Sequence, residues 1–524
     1  MQKIKLLDCT LRDGGYVNNW EFGANVITRI VQKVLISGVD IMELGYLSTK
    51  DAGDPNVARF SSLEDMKRAY VSNKGQNQDY AIMINFGEYP IELLPKAETD
   101  SPILRVAFHK KHLTEAFEYF AKLQELGYRY FIQPMGVLNY SDEEFVQLIQ
   151  KSNAMKAEAF YIVDSFGVIE MKDFRRLIFM ADNNLSSDII LGYHAHNNLQ
   201  QAYSNAKYMV EQNLEHNLII DASVFGMGRG AGNLNIELFA EYLNRGYRKS
   251  YNIEPILEVF DECLKPIFAN QFWGYSLPYY LSSIHNCHPN YASFFAEKNT
   301  LSVKSMHEIL GMISPEDKTG FSKDKAAAYY KQYLDNYIDD SKDLDTLSKS
   351  IEGRKVLILA PGATLATHQN EITQYIAENN PVVIGVNRVS DAYQYRYLFT
   401  SNEKRLTDGK PANVQTLIKT SNLHKILPDT LQVNYASFLI DNESISDNPT
   451  LMLLNVLMTI GVREVAIAGF DGFSANPEEN YFEKGLSLGS SVKSKHERNV
   501  QVKEEVAKLQ RKIQLDFLTP SKYL

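Results

Sequence analysis

Asp13, His194 and His196 are the residues of this chain best suited by type and spacing to hold a divalent cation. His194 and His196 stand at i and i+2 in Gly192-Tyr193-His194-Ala195-His196-Asn197-Asn198. On an extended segment both side chains point to one side, so two imidazoles can reach a single ion. Asp13 lies in Leu7-Asp8-Cys9-Thr10-Leu11-Arg12-Asp13-Gly14-Gly15-Tyr16, and its carboxylate completes a His, His, carboxylate set that leaves open positions for substrate. Arg12 beside it offers a fixed cation for charge developing on a bound oxygen. Taken alone, Arg12–Asp13 is an ordinary ion pair on a turn. The distant histidine pair is what turns the reading towards chemistry.

These residues need a scaffold that brings positions 13 and 194 together. Short apolar runs at Ile4–Leu7, Ile41–Leu44, Tyr80–Asn85, Ile103–Phe108, Tyr130–Gln133, Phe160–Val163, Ile189–Gly192 and Leu218–Ala222 alternate with segments of helical spacing such as Val26-Ile30-Val34. Eight strand–helix units in about 250 residues predict an α/β fold, a (β/α)8 TIM barrel over residues 1–247, whose chemistry gathers at the strands' carboxyl ends. The first strand then delivers Arg12, Asp13 and Tyr16, and the second leaves Glu43 at the rim. The fourth ends at His109 and the sixth at Asp164 and Ser165. The seventh brings both histidines. After the eighth comes Gly226-Met227-Gly228-Arg229-Gly230-Ala231-Gly232-Asn233, where glycines let backbone approach a ligand.

The Thr10-Leu11-Arg12-Asp13-Gly14 motif, the His194-Ala195-His196-Asn197 motif and this glycine loop, in that order, resemble the metal-dependent aldolase/lyase superfamily. It includes 4-hydroxy-2-oxovalerate aldolase, hydroxymethylglutaryl-CoA lyase and isopropylmalate synthase. The resemblance implies a class II aldolase or carbon–carbon lyase acting next to a 2-oxo acid such as pyruvate, with an aldehyde as the other substrate. It implies a divalent metal, Mn2+ or Mg2+ ahead of Zn2+ or Co2+, on Asp13, His194 and His196, with Asn233 a fourth ligand in some branches. Arg12 would lie beside the enolate oxygen and Ser165 on the substrate carboxylate, with Glu43 or Asp164 orienting the ligands. Tyr279, in Trp273-Gly274-Tyr275-Ser276-Leu277-Pro278-Tyr279-Tyr280, matches a tyrosine that reaches the active site from beyond the barrel. The pattern departs at Tyr16, where pyruvate aldolases carry a histidine base. A tyrosine of pKa about 10 is a poor base at neutral pH, which leaves the proton acceptor among Tyr16, Tyr279, His109 and a water. No cysteine matches the thioester lyases near the glycine loop, which has Ser223 and Phe225 instead. The alternatives are a Claisen-type synthase joining an acyl-CoA to a 2-oxo acid, and a nucleotide-binding regulatory or glycosyltransferase-like fusion.

Residues 248–338 read as a helical extension contributing to the barrel site, and 339–353 as a polar linker. In the extension, His285 and His288 read as surface or capping residues rather than a second metal pair. Residues 354–524 begin a second α/β pattern. Lys355–Leu365 is strand, small-residue loop and helix, while Val382–Asn387 and Tyr397–Asn402 are strands ending in asparagine. A helix over Leu451–Ile460 leads to a strand at Glu464–Ala468. This domain resembles the Rossmann-like folds of bacterial sialyltransferases. It implies a nucleotide or nucleotide-sugar, with Gly362 admitting a phosphate to backbone N–H groups and Asn387 and Asn402 at the sheet's carboxyl edge. Together the two resemblances point to unusual sugar-acid or surface-polysaccharide metabolism.

Composition narrows the classes further. With 524 residues, a net charge of −10, and charged and hydrophobic shares of 23% and 44%, the chain is an ordinary multidomain globular protein, not a general nucleic-acid binder. No apolar run is long enough to span a membrane, and no signal peptide precedes the first motif. Three cysteines cannot build a disulfide framework, so a reducing cytoplasm is expected. The expected partners are small molecules and further copies of the chain.

Overall fold

Strands covered on both faces must be apolar on both, and those of the first half of this chain are. β1 (Ile4–Asp8), β2 (Ile41–Leu47), β3 (Asp79–Asn85), β4 (Ile103–Phe108), β5 (Tyr130–Pro134), β6 (Ala159–Asp164), β7 (Ile190–Ala195) and β8 (Leu218–Ala222) run parallel, each beside the next. β1 pairs with both β2 and β8, which closes the sheet into the expected eight-stranded barrel. A two-residue strand, Arg59–Phe60, adds to the end of β2. The computed structural model describes residues 3–50, 53–70, 78–298, 301, 303–334, 338–402, 405, 410–423, 425, 427–442, 444–474, 476, 480–483 and 492–524.

Alternation along each strand decides what enters the barrel. Leu6, Met42, Leu44, Ile82, Ile84, Leu104 and Val106 join the layer between sheet and helices. Leu7, Ile41, Ala81, Ile103, Phe131, Ala159, Tyr161 and Ile219 fill the interior. Two residues after Ile41, Ile103 and Ile219 on the same face come Glu43, Arg105 and Asp221, all fully buried. A layer of charge therefore lies on a layer of hydrocarbon. β2 also continues past its expected end. Its register shifts between Glu43 and Tyr46, where Gly45 has φ +145° and a Cβ would strike the Ala58 carbonyl. That bulge carries the strand on to Leu47, so Glu43 lies inside the barrel and not at its rim as the sequence suggested.

Contacts divide the chain into two units, 1–293 with 314–321, and 294–313 with 322–524. The helical extension is thus shared between them. The second unit carries a seven-stranded all-parallel sheet of β9 (Val356–Leu359), β10 (Val382–Val386), β11 (Tyr395–Thr400), β12 (Val414–Thr420), β13 (Thr430–Val433), β14 (Glu464–Ala468) and β15 (Gln514–Phe517). Its order is β13-β12-β11-β10-β9-β14-β15. The chain starts at β9, winds outward to β13, then returns to the other side of β9, the topology that opens a crevice at the strands' carboxyl ends.

The linker expected over 339–353 is instead a helix, Ser341–Ile351, whose Leu347 and Ile351 are buried with Val356 and Ile358. Lys342, Asp345 and Lys349 face outward, while Asp343 accepts the Gln432 N–H at 2.9 Å. Cys9, Cys263 and Cys287 are free, and among the described residues no helix is long and apolar enough to cross a membrane.

Candidate active site

Asp13, His194 and His196 converge as the motif spacing predicted. Their ligand atoms lie within 4.8 Å of one another, and all three residues are buried. Asp13 sits in the turn after β1, with Oδ1 accepting from Arg12 Nη1 at 2.6 Å and Oδ2 accepting from Asn233 Nδ2 at 2.8 Å. Burial alone would raise its carboxyl pKa, but His196 and Arg12 together hold it well below the usual carboxylate range. His194 ends β7, and its Nδ1 is 3.0 Å from Asp221 Oδ2. A carboxylate only accepts, so that nitrogen carries the proton and Nε2 keeps its lone pair for a ligand. Burial brings His196 down to about 3, so its imidazole is neutral at ordinary pH, and its Nδ1 lies 3.7 Å from Asp13 Oδ2.

These residues fit a divalent cation. His196 Nδ1 and Asn233 Oδ1 are buried acceptors without a hydrogen-bond partner, and a cation would answer both. Asn233 is the residue of the glycine loop that reaches inward, and backbone pairing with His196 ties the two together. The loop is glycine here because it has to be. A Cβ on Gly228 would lie 2.7 Å from Asp13 Oδ2 and 2.3 Å from Asn233 Nδ2.

Beneath this group a chain of buried ion pairs crosses the barrel. Glu43 Oε2 accepts from Arg12 Nε at 2.7 Å and forms an ion pair with Arg105 Nη1 at 2.6 Å. Arg105 Nη2 reaches Asp221, the partner of His194. Tyr161 supports both ends, donating to Asp221 at 3.1 Å and lying 4.9 Å under the Arg105 guanidinium. Arg12 Nη2 remains buried without a partner. It is a donor held in place on one side and unanswered on the other.

The other expected residues fall in several places. Tyr16 stands at the mouth, its hydroxyl 3.0 Å from that of Tyr46 and its ring 5.3 Å below the Arg229 guanidinium. Ser165 Oγ accepts from Gly136 N–H at 2.9 Å, which leaves its own proton to donate. His109 is exposed after β4, and partial desolvation by the protein around it, with Lys111 beside it, lowers its pKa. Asp164 turns away, capping the N–H groups of Val168 and Ile169. Tyr279 is half-buried in the helix Leu277–Ile284. Among the described residues no hydrogen bond ties its hydroxyl to the Asp13 group.

Sequence reasoning missed Arg105, Asp221, Tyr46, Arg229 and His288. A lone charge inside an apolar strand (Ile103-Leu104-Arg105-Val106, Leu218-Ile219-Ile220-Asp221) was the available signal for the first two. His288, expected at the surface or in a cap, accepts the Asn290 N–H at the start of the helix Pro289–Glu297 and is flanked by Phe166 and Phe321, beside Arg229.

In the second unit, Gly362 passes under Gly469 and Asp471, whose atoms a Cβ would strike. Asp471 also accepts the Thr364 N–H at 2.8 Å, so a carboxylate holds the position where a phosphate was expected. Asn387 follows β10 with φ +58°, its amide oxygen 3.3 Å from the Ser401 nitrogen. Asn402 follows β11, buried, its carbonyl accepting from the Arg405 N–H.

The fold is an eight-stranded parallel α/β barrel with a carboxylate and two histidines gathered at the carboxyl ends of its strands. Residues 3–261, just under half of the chain, match the HMGL-like family model. The chain is 24% identical over 273 residues to 4-hydroxy-2-oxovalerate aldolase of Carboxydothermus hydrogenoformans, covering 51% of this chain and 78% of that one. It is 28% identical over 254 residues to the same enzyme of Desulfitobacterium hafniense, covering 47% and 72%. It is 24% identical over 254 residues to oxaloacetate decarboxylase of Mycobacterium tuberculosis, covering 48% and 74%. Among solved structures, the carboxyl transferase domain of Rhizobium etli pyruvate carboxylase shares the fold at a TM-score of 0.50 and 13% identity, over 66% of this chain and 65% of that one.

Asp13→Asn, His194→Ala and His196→Ala should each abolish stoichiometric Mn2+ binding, measured by metal analysis after dialysis, with unchanged far-UV circular dichroism. Asp221→Asn, which keeps the side chain's shape but removes the charge that His194 and Arg105 both face, should weaken Mn2+ by roughly 10- to 100-fold. Full metal retention in all three ligand variants would refute the assignment.

Proposed function

We propose that the barrel is a class II, metal-dependent aldolase that cleaves or forms the bond between C3 and C4 of a 4-hydroxy-2-oxo acid, with a pyruvate-type acid and an aldehyde as the halves. The observation that carries this reading is the buried, unpartnered Nη2 of Arg12 beside the Asp13, His194 and His196 group. Cleavage leaves a carbanion at C3, and its charge spreads to the C2 oxygen. A preorganised donor aimed at that oxygen lowers the barrier most where water is excluded. Arg12 meets this need because Asp13 and Glu43 fix two of its three nitrogens and leave the third for substrate.

A divalent cation on Asp13, His194 and His196 supplies Lewis-acid polarisation of the 2-oxo group and fixes it in place. The remaining tasks belong to the chain. Ser165 donates its hydroxyl to the substrate carboxylate. Tyr16, hydrogen-bonded to Tyr46, positions the C4 hydroxyl at the barrel mouth, and its proton passes to a water there as the aldehyde forms. Aldolase and decarboxylase relatives both act on compounds that yield such a three-carbon acid, which supports the reading.

The second unit, we propose, binds a nucleotide or nucleotide-sugar at the carboxyl edge of its sheet. Asp471 already serves the Thr364 N–H, which favours the ends of β10 and β11 instead. There, among the described residues, Arg388 Nε, Thr400 Oγ1 and Ser401 Oγ are buried without hydrogen-bond partners, an arrangement that a polar ligand would satisfy.

Two measurements test these readings. With Mn2+ or Mg2+ and no aldehyde, the protein should exchange the methyl protons of pyruvate for deuterium, seen by proton NMR. Arg12→Ala should slow this by roughly 100- to 1,000-fold, and a wild-type protein inert with either ion would refute the aldolase. Calorimetry of the full chain should show binding of a cytidine nucleotide, weakened about tenfold in Arg388→Gln by the lost charged hydrogen bond. No heat with cytidine, uridine or guanosine phosphates would refute the nucleotide site.

A further inference from the structure

Arg229 is a guanidinium without a salt-bridge partner at the mouth of the barrel. Nη2 donates to the Ser165 carbonyl at 2.9 Å, and the group lies 5.3 Å over the Tyr16 ring. Nε is buried without a partner. Among the described residues no carboxylate pairs with it. A half-buried cation in contact only with neutral groups is costly unless an anion joins it.

The contact with His288 sharpens this. Arg229 Nη1 is 3.4 Å from His288 Nε2. On the other side of the ring, Nδ1 accepts the backbone N–H of Asn290 at 3.2 Å. A backbone N–H only donates, so Nδ1 bears the lone pair. Burial, reinforced by Arg229, holds this histidine neutral by lowering its pKa well below the ordinary range. The ring's one proton is therefore on Nε2. Two N–H donors then face each other, with no acceptor of the protein between them. Phe166 and Phe321 flank the imidazole and keep it there.

We infer that Arg229 and His288 form a second anion subsite, and that the aldehyde half of the substrate carries an acidic oxygen group, a carboxylate or a phosphate, bound between Arg229 Nη1 and His288 Nε2. This rests on the aldolase reading, in which the carboxylate of the pyruvate half is already engaged at the metal group and Ser165. The subsite stands one residue from Gly228, which packs on Asp13, so it belongs to the same mouth. It selects the acceptor, and a neutral short aldehyde leaves it unfilled.

The test uses the full-length Mn2+-loaded protein. Succinic semialdehyde supplies the carboxylate arm, glyceraldehyde 3-phosphate the phosphate arm and propanal the neutral control. Wild type should prefer one acidic arm over propanal by about 30-fold or more in kcat/KM, as expected for a charge-assisted pair. Arg229→Met should collapse that ratio, and Arg229→Lys should restore part of it. His288→Phe, which keeps the aromatic contacts and removes the donor, should lower the ratio as well. A binding assay without turnover accompanies it. Calorimetry should show 2-oxoglutarate binding more tightly than 2-oxobutyrate, with the difference lost in Arg229→Met. Equal handling of acidic and neutral aldehydes, an Arg229→Met variant that only raises KM for pyruvate, or an undiminished ratio overturns the subsite. Absence of turnover with every aldehyde, while the dianion preference persists and depends on Arg229, refutes the aldolase instead and keeps the subsite.

Discussion

One carboxylate oxygen joins the two halves of the site. Glu43 Oε2 forms ion pairs with both Arg12 and Arg105, and all three side chains are buried. Each buried ion costs several kcal/mol to desolvate, and removing one partner of such a pair typically destabilises by about 3–5 kcal/mol. No member of the Arg12–Glu43–Arg105–Asp221 chain can therefore be changed alone without leaving a bare charge. The same chain holds two nitrogens of Arg12 in place and, through Asp221, fixes which nitrogen of His194 is left free for a ligand. Counting formal charges, Asp13, Glu43 and Asp221 outweigh Arg12 and Arg105 by one. The deficit favours a cation at Asp13, and a divalent one makes the centre positive towards an anionic substrate.

Much of this is legible in the sequence, for a physical reason. A covered parallel strand must be a short apolar run, so all eight barrel strands announce themselves. Residues placed just after such runs share one rim whatever their separation in sequence, so Asp13 and His194 can be paired from their motif positions alone. The ion-pair chain is harder to see because a charge inside a strand reads as a defect in the run. Only the alternation of faces turns Arg105 and Asp221 into partners. Glu43 is misplaced by the sequence pattern because Gly45 reads as the end of a strand, whereas here it forms a bulge that continues one.

The second unit is less legible, and its missed elements show why. β12, β13 and β15 are partly exposed and carry polar residues such as Gln415, Thr416 and Asp516 along them. Their pattern therefore lacks the unbroken apolar run. The helix Ser341–Ile351 escapes notice through the opposite error, since its charges hide the Leu344, Leu347 and Ile351 stripe. Gly362 carries a related lesson. A strand-to-helix loop with a small residue suits a phosphate, but it equally suits a carboxylate from the neighbouring strand's end, and Asp471 is that carboxylate.

The seam of the barrel lies where β1 meets β8, with the Lys3 carbonyl accepting from the Leu218 N–H. Asp13 follows the first strand of that seam, and Asn233, its partner, follows the last. The metal-type group accordingly exists only once the ends of the sheet have met, after some two hundred residues of intervening chain have folded between them. An ion bound there has no counterpart in a partly wound sheet, so its whole binding free energy falls on the closed form. A group made this way is also a clasp, because any ion it holds stabilises the closed seam over the open one by that ion's binding free energy.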